Sequence, residues 1–344
     1  MGDHHSCSVP IPEGWSRGVS RTLKRPYYYH VASQHTQWHF PTPQEAKDPH
    51  GTKERLRNEQ HAKRQKMLNS VAIIVPYRDL HPTQNRARHL QQFVPHMKRF
   101  LSELVSNNAI SDYHIYIIEQ SDDGRKFNRG KLLNIGFDYS VKRSEKHPPR
   151  HNIFIFHDVD LLPQNDLAEW YGKYPTKPTH IARVWSRYAA NNSKYFGGVV
   201  SFSEEDMKRI NGYPNTFWGW GGEDDEMQKR LETLGITWVA PPSGTIVDLE
   251  QMDIDTKMKF LRENKQWKCM VKWEALEEHE STWQSNGLSD LKYDIKGVKK
   301  LDQDDVDGAG SKVTLLNVDV MLNGSHWANE KCGVDYLPPP ANKS

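Results

Sequence analysis

Two short acidic segments have residue types and spacings that suit chemistry on a substrate. In HDVD, residues 157–160, Asp158 and Asp160 end an apolar run. A strand that continued would put both carboxylates on one face, where they could reach a hard divalent cation, which prefers oxygen ligands. A polar strand end or a helix N-cap would explain the same tripeptide without any ligand.

The second segment, FWGWGGEDDE at 217–226, places two tryptophans and three glycines before four acidic residues. Acidic residues in a first helical turn stabilise it by about 0.3–1 kcal/mol each, which explains EDDE but not FWGWGG. Glycine lets the backbone approach a ligand closely, and tryptophan can stack on the apolar face of a sugar. The segment therefore favours a sugar pocket built on the start of a helix, with a carboxylate available as a base.

Two arginines are placed to bind phosphate. Arg78 ends the first apolar run of the larger part of the chain, and Arg129 stands near a predicted helix start. Guanidinium groups bind phosphate through paired N–H groups, and helix N-termini favour anions. An ordinary surface ion pair is the alternative for Arg78. The sequence contains neither GxGxxG nor GxxxxGK[ST], so the Rossmann and P-loop fingerprints are absent.

From residue 71 onward, apolar β-branched runs alternate with helical patterns. This order predicts an α/β fold whose mainly parallel sheet is covered on both faces. Ligands bind such sheets beyond the carboxyl ends of the strands, so Pro76–Arg78, Glu119–Gln120 and His157–Asp160 are expected to converge. The predicted strands are 71–78, 114–120, 152–162 and 313–320; the predicted helices are 88–104, 129–141 and one that begins at EDDE; 296–310 is a predicted loop.

Composition limits the classes of function. The 344 residues carry a net charge of +2, which does not indicate nucleic acid as a partner. The cysteines Cys7, Cys269 and Cys332 include no CxxC pair, so a cysteine zinc site is not expected. The sequence as given shows no apolar signal segment and no apolar run long enough for a membrane span, which predicts a cytosolic chain.

Residues 11–41 are rich in strand formers and turn residues, and about 31 residues are too few for an ordinary core. The segment resembles a WW domain: PEGW at 12–15 matches the PxGW start, and Tyr27–Tyr29 matches the aromatic block. The resemblance implies a small three-stranded antiparallel module over residues 9–43, closed by a buckle of Trp15, Tyr28 and Pro41.

The WW resemblance also implies a groove for a proline-rich ligand in the polyproline-II conformation. The groove residues would be Tyr27, Thr36 and Trp38. His30 and Val31 depart from the pattern, since the family usually has Asn and often has His at these two positions. A WW-like remnant that only packs or spaces is the alternative to a ligand-binding module.

Seven motifs further along the chain resemble the β-1,4-galactosyltransferases. In order they are VPYRD, FVPHMKRFL, FNRGKLLNIGF, HDVDLLP, YFGGVVSFS, NGYPNTFWGWGGEDDE and NGLSDLKYDI, and they cover about residues 70–320. FVPHMKRFL and HDVDLLP are most similar to the xylosylprotein, or proteoglycan-linker, type. The resemblance implies a GT-A nucleotide-sugar transferase fold over 70–322, UDP-galactose as donor, Mn²⁺ as cofactor, and inversion at the sugar carbon.

The resemblance to the galactosyltransferases implies roles for individual residues. Asp224 would be the catalytic base, and Glu223 and Asp225 would bind sugar hydroxyls of the acceptor. Trp220 would stack on donor and acceptor sugars, and Tyr195 would favour galactose over N-acetylgalactosamine. The other residues implied for the donor are Pro76, Arg78, Phe127, Arg129, Asp158, Gly197 and Gly198.

The implied metal site is where the sequence departs from the family. Asp160 would bind Mn²⁺ together with a later Met-x-x-His or His-x-His site, but this chain has QMDID at 251–255. Met252 and Asp255 keep the Met-x-x spacing with aspartate in place of histidine, and aspartate is a harder Mn²⁺ ligand. Asp255, with Asp253 as a further candidate, is predicted to complete the site; a solvated acidic loop is the alternative.

A second departure concerns the nucleotide site. The family has another arginine two residues after that of VPYR, whereas here DLHPTQN intervenes. Arg86 and Arg88 are the candidates to take its place.

The sequence thus predicts a WW-like module, a polar basic linker over 44–69, a galactosyltransferase domain and a tail over 323–344. The predicted reaction is Mn²⁺-dependent transfer of galactose from UDP-galactose to a xyloside or N-acetylglucosaminide in β-1,4 linkage. The alternative is a non-catalytic scaffold whose WW module recruits a proline-rich partner and whose larger domain only binds sugar or nucleotide. The family resemblance implies the Golgi lumen, in contrast to the cytosolic expectation.

Overall fold

The computed structural model describes residues 10–21, 24–32, 35–47, 69–79, 84–191, 195–302, 310–322, 333 and 335. The chain divides into two compact units, Met1–Met67 and Leu68–Ser344. Most of the predicted linker and nearly all of the predicted tail lie outside the described residues. None of the helices in the described ranges combines the length and the apolar composition that a membrane crossing needs.

The first unit contains a three-stranded antiparallel sheet, as predicted. Its strands are β1 (Trp15–Val19), β2 (Pro26–His30) and β3 (His35–Gln37), with β2 in the middle, followed by the short helix α1 (Pro43–Lys47). Trp15 is buried, with its ring 5.5 Å from that of His30. The Tyr28 ring packs 5.4 Å from that of Phe40, next to the buried Pro41. A few aromatic contacts therefore replace a larger core.

The second unit is built on a seven-stranded sheet with the order β11-β12-β5-β4-β6-β9-β8. A separate two-stranded sheet pairs β7 with β10. The strands are β4 (Asn69–Tyr77), β5 (Ile110–Gln120), β6 (Ile153–His157), β7 (Leu161–Pro163), β8 (Thr179–His180), β9 (Val199–Phe202), β10 (Ile246–Asp248), β11 (Asp294–Lys300) and β12 (Val313–Asp319).

The large sheet is mixed, with a parallel core, rather than mainly parallel throughout. Strands β12, β5, β4 and β6 run parallel, whereas β11, β9 and β8 join by antiparallel pairing. The predicted loop at 296–310 is wrong in its first part, because β11 occupies Asp294–Lys300. β11 is an exposed edge strand rich in lysine, so it has no apolar face to reveal it in the sequence.

Helices cover both faces of the sheet. Alternate residues of β4 point to opposite faces: Ile73 joins a core cluster with Phe93 and Met97 of α2, and Ile74 joins another with Leu133 and Phe137 of α3. The remaining helices are α2 (Arg86–Ser106), α3 (Arg129–Lys146), α4 (Ala168–Gly172), α5 (Ser186–Asn191), α6 (Glu204–Arg209), α7 (Glu223–Thr233), α8 (Ile254–Glu263), α9 (Lys272–Glu277) and α10 (His279–Thr282).

Candidate active site

A cavity of about 410 Å³ opens at the carboxyl edge of β4 and β6, beside the first turns of α2, α3 and α7. Twelve of the predicted site residues line it: Pro76, Arg78, Phe127, Arg129, Asp158, Asp160, Tyr195, Trp220, Glu223, Asp224, Asp225 and Met252.

The end of β5 was expected to reach the site directly, but it does not line the cavity. Gln120 is buried and accepts a hydrogen bond from the Asn128 N–H at 2.9 Å, so it supports the start of α3 from behind.

The two aspartates of HDVD reach different arginines. Strand β6 ends at His157, so the chain turns and the carboxylates do not share the face of one strand. Asp158 accepts a 2.8 Å bond from Arg129 Nε, and Asp160 accepts a 2.6 Å bond from Arg86 Nη1. The segment thus supplies one carboxylate to each of two arginines that line the cavity.

Arg129 is the centre of an acidic cluster. Asn128 caps α3 and places Arg129 in its first turn, where Nη1 lies 2.9 Å from Asp224 Oδ1 and 3.6 Å from Glu223 Oε1. Burial disfavours the ionised acids, and neighbouring carboxylates add to this effect. Together they raise the pKa of Glu223 to about 7 and that of Asp158 to about 6, although Arg129 opposes both shifts.

Asp224 is held at both of its oxygens. Besides the contact with Arg129, its Oδ2 accepts a 2.9 Å hydrogen bond from the Tyr195 hydroxyl. A side chain at Gly197 would overlap Asp224 Oδ2 and Tyr195 Oη, so this glycine makes room for the pair. Gly198 has φ +74° and packs under the Tyr188 ring. These two glycines border the carboxylate, and a donor-binding role for them stays a prediction.

Trp220 forms one wall of the cavity and is 38 % exposed. Its backbone N–H donates to the Trp267 carbonyl at 2.6 Å, and its carbonyl accepts from the Cys269 N–H at 3.1 Å. Gly222 then turns the chain into α7 with φ +111°, where any side chain would overlap the Phe217 ring. The glycines of FWGWGG therefore act on the backbone path that presents Glu223 and Asp224 to the cavity.

Arg86, not Arg88, returns to the site. Its guanidinium bridges two carboxylates, with Nη1 on Asp160 and Nη2 3.1 Å from Glu250 Oε1. Burial disfavours the ionised form of Asp160, but Arg86 and Lys257 outweigh it and hold the pKa of this carboxyl well below its usual range. Arg88 is exposed in the same first turn.

Glu250 is a site residue that the sequence argument missed. Its side chain is buried, lines the cavity and also contacts Lys257 Nζ at 2.8 Å. The pairing of β10 with β7 brings it beside Asp160, whose carbonyl accepts from the Leu249 N–H at 2.8 Å. Its position depends on this pairing of segments that are distant in sequence, so the sequence gives no local signal for it.

The other predicted metal residues are less well placed than Asp160 and Met252. Asp253 caps α8 by accepting from the Thr256 N–H at 2.7 Å, and Asp255 is exposed in the first turn of that helix. Neither lines the cavity. Within the described ranges, no group of three or more His, Cys, Asp or Glu side chains is arranged to hold a metal ion. Asp255 as a ligand stays a prediction, to be weighed against Glu250.

Two family profiles, which follow one another along the chain, together match most of its residues. Residues 31–172 match the N-terminal region of glycosyl transferase group 7, and residues 177–253 match the N-terminal domain of galactosyltransferase. Human β-1,4-galactosyltransferase 4 is 33 % identical over 234 residues, which are 68 % of this chain and 61 % of that protein. The chain belongs to the β-1,4-galactosyltransferase family. It spans between half and two thirds of the length of the curated relatives that it matches.

Solved structures of the family agree with this assignment. The catalytic domain of Drosophila β-1,4-galactosyltransferase 7 in complex with xylobiose has a TM-score of 0.55 and 28 % identity, covering 73 % of this chain and 94 % of that one. A mutant of the same enzyme in complex with manganese, UDP-Gal and xylobiose gives the same values. The larger unit therefore has a GT-A-like galactosyltransferase fold.

Proposed function

We propose that the protein transfers galactose from UDP-galactose to a hydroxyl of an acceptor sugar, in β-1,4 linkage and with inversion. The observation that carries the proposal is Asp224, a buried carboxylate fixed by Arg129 and Tyr195 at a cavity wall formed by Trp220. A carboxylate oriented in this way suits a general base better than a structural ion pair, because it faces the space that a sugar would fill.

The reaction follows from the residues that line the cavity. Pro76, Arg78 and Phe127 would hold the nucleotide, and Arg129 would face its phosphates. Trp220 would stack on the sugars, and Asp225 and Glu223 would bind acceptor hydroxyls. Asp224 would take the proton of the attacking hydroxyl as its oxygen bonds to the sugar carbon and the bond from that carbon to UDP breaks. A single attack of this kind inverts the anomeric carbon without a covalent intermediate.

The donor set suits a Mn²⁺ ion. Asp160 and Glu250 are hard oxygen ligands that contact the two amino groups of the same guanidinium, that of Arg86, and Met252 lines the same cavity. When bound, the ion would neutralise charge that develops on the departing UDP. We propose Asp160 and Met252 as ligands, with Glu250 in preference to Asp255 as the third.

One set of experiments tests both the galactose transfer and the assignment of the metal ligands. Release of UDP from UDP-galactose should require both Mn²⁺ and a xyloside or N-acetylglucosaminide acceptor. Glu250→Gln should weaken Mn²⁺ binding in the presence of UDP by about tenfold or more, since metal affinity depends on each ligand and its support. Calorimetry with Mn²⁺ on the folded variant measures this without reference to activity.

Asp255→Asn is the matched control, because it removes the same charge from an exposed position five residues away. It should change Mn²⁺ affinity by less than about twofold. The reverse ranking of the two variants would restore Asp255 as the ligand. No binding of UDP-galactose by the wild type would overturn the proposed function itself.

We further propose that the first unit is a WW module that binds a proline-rich segment. Tyr27 and Tyr29 lie on one face with ring centroids 6.0 Å apart, Thr36 pairs with Tyr29 across the sheet, and Trp38 lies 6.0 Å from Tyr27. Trp38 is 46 % exposed, and the Arg25 guanidinium stacks on it. Exposed aromatic rings in this spacing suit a polyproline-II ligand.

A titration of the full chain with a proline-rich peptide tests the WW module. Trp38→Ala should lower peptide affinity by about tenfold or more, as expected for a central aromatic contact. Val19→Ala, which trims an exposed side chain at the end of β1, should leave it unchanged. Equal affinities of wild type and Trp38→Ala would mean that the sheet is a spacer.

A further inference from the structure

A second, smaller cavity of about 190 Å³ adjoins the active-site cavity. It shares Leu261 and Lys272 with the larger cavity. Lys272 lies at the junction, with Nζ 2.7 Å from Asp225 Oδ2 and 4.8 Å over the Trp273 ring. A glycan held at Trp220 and Asp225 would therefore extend into this second cavity.

The second cavity is basic. Arg262, Lys265, Lys268 and Lys272 contribute to its lining, and within the part of the chain that the structure describes no acidic residue does. Of these four side chains, Lys272 alone forms an ion pair with a residue that the structure describes, and its partner is Asp225. Glu263 and Glu274, the nearest acids in sequence, do not line the cavity. The four side chains thus leave excess positive charge around a space large enough for one charged group.

The floor of this cavity is apolar and unusually exposed. Trp273 is 68 % exposed and Met270 is 47 % exposed. Solvated lysines alone are ordinary at a surface, but Trp273, with Lys272 over one face of its ring, is exposed enough to offer a stacking surface for a sugar ring. A cationic rim around an aromatic floor suits a sugar that carries a negative charge.

We propose that this basic cavity is a subsite for an anionic group on the acceptor glycan: a carboxylate, a sulfate ester or a phosphate ester. The proposal rests on the proposed galactosyl transfer and specifies its acceptor. The anion lies against Arg262, Lys265 and Lys268 while its sugar covers Trp273. The terminal sugar then reaches Trp220 and Asp225. Acceptors with an anionic group next to the terminal sugar are therefore preferred to neutral ones.

The test compares matched acceptors on the full chain. A neutral disaccharide is set against the same disaccharide carrying a carboxylate, a sulfate or a phosphate on its inner sugar. KM for the best anionic acceptor should be about tenfold lower, the sum of two or three exposed charge contacts, with little change in kcat. The preference should shrink at high ionic strength, because salt screens exposed charges. Among the three charged disaccharides, the one with the lowest KM identifies the preferred anion.

Two paired variants locate the effect. Arg262→Gln/Lys265→Gln should remove most of the preference while leaving KM for the neutral acceptor unchanged. Lys299→Gln/Lys300→Gln makes the same charge change on β11 and should preserve the preference. Equal KM values for neutral and anionic acceptors in the wild type, or a preference that survives the first pair, would overturn the subsite.

Failure of the subsite and failure of galactosyl transfer are distinguishable. If UDP-galactose is not consumed with any acceptor, the proposed function fails. Calorimetry of the four disaccharides with the UDP-loaded protein then still decides whether the anionic ones bind more tightly. Equal binding of neutral and anionic disaccharides there refutes the subsite on its own.

Discussion

Replacing Asp224 by asparagine should lower kcat for galactose transfer by about 10²–10⁴-fold, the usual contribution of a positioned general base. Asparagine keeps the size of the side chain and can still accept the Tyr195 hydrogen bond, but it cannot take the proton of the acceptor hydroxyl. The rate of UDP release at saturating acceptor measures the effect. Affinity for UDP-galactose should fall far less than kcat does.

Asp225→Asn is the control for this prediction. Asp225 lies next to Asp224, but its side chain is 41 % exposed and pairs with Lys272 rather than with the Arg129 cluster. Its replacement should mainly raise KM for the acceptor. If Asp224→Asn kept wild-type kcat, the base would have to be sought elsewhere. If wild type and variant both bound the nucleotide but neither produced UDP from UDP-galactose, the result would favour the non-catalytic scaffold.

Arg230→Met should be the most destabilising single change in the larger unit, by about 3–5 kcal/mol, the typical cost of removing one partner from a buried ion pair. Arg230 is fully buried in α7, where Nε donates to Glu226 Oε1 at 3.1 Å. Nη1 donates to the Gly212 carbonyl at 2.7 Å, and Nη2 to the Asn286 carbonyl at 2.6 Å. Methionine fills part of the space but satisfies none of these acceptors. Denaturant unfolding measures the loss.

The partner residues provide an internal check on the Arg230 prediction. His279 Nδ1 lies 2.8 Å from the same Glu226 oxygen, so the carboxylate keeps one polar neighbour when Arg230 is lost but not the charge that balanced it. Arg230→Met/Glu226→Gln should therefore be more stable than Arg230→Met alone. Arg209→Met, an exposed arginine on α6, should change stability by less than about 0.5 kcal/mol. Equal losses for Arg209→Met and Arg230→Met would contradict the buried network.

Local patterns were enough to predict the central strands and the helix that starts at Glu223. The apolar runs that became β4 and β5 are buried on both faces, and such runs are visible in a sequence. Strands β8 and β9 were not visible, because they have two and four residues and gain their partners only in three dimensions. The family resemblance, not periodicity, supplied the roles of Asp224 and Tyr195.

The acidic residues around the proposed metal site show what spacing cannot reveal. The sequence favours Asp255 as a ligand because it stands three residues after Met252, as the family pattern requires. In the structure α8 begins at Ile254, and its first turn directs Asp255 to solvent. Glu250 gains its position from the pairing of β10 with β7, a contact between segments more than 80 residues apart in sequence. Such a contact leaves no local signature.

The position of β12 in the sheet bears on how the protein can be made. β12 lies between β11 and β5, and its Thr314 meets His114, which is 200 residues earlier in the sequence. During synthesis from the N-terminus, the apolar edge of β5 stays unpaired until residue 319 has left the ribosome. An open strand edge is a template for association with other chains. A premature stop before Val313 would thus expose the middle of the sheet rather than trim its end, and the truncated chain would be prone to aggregate.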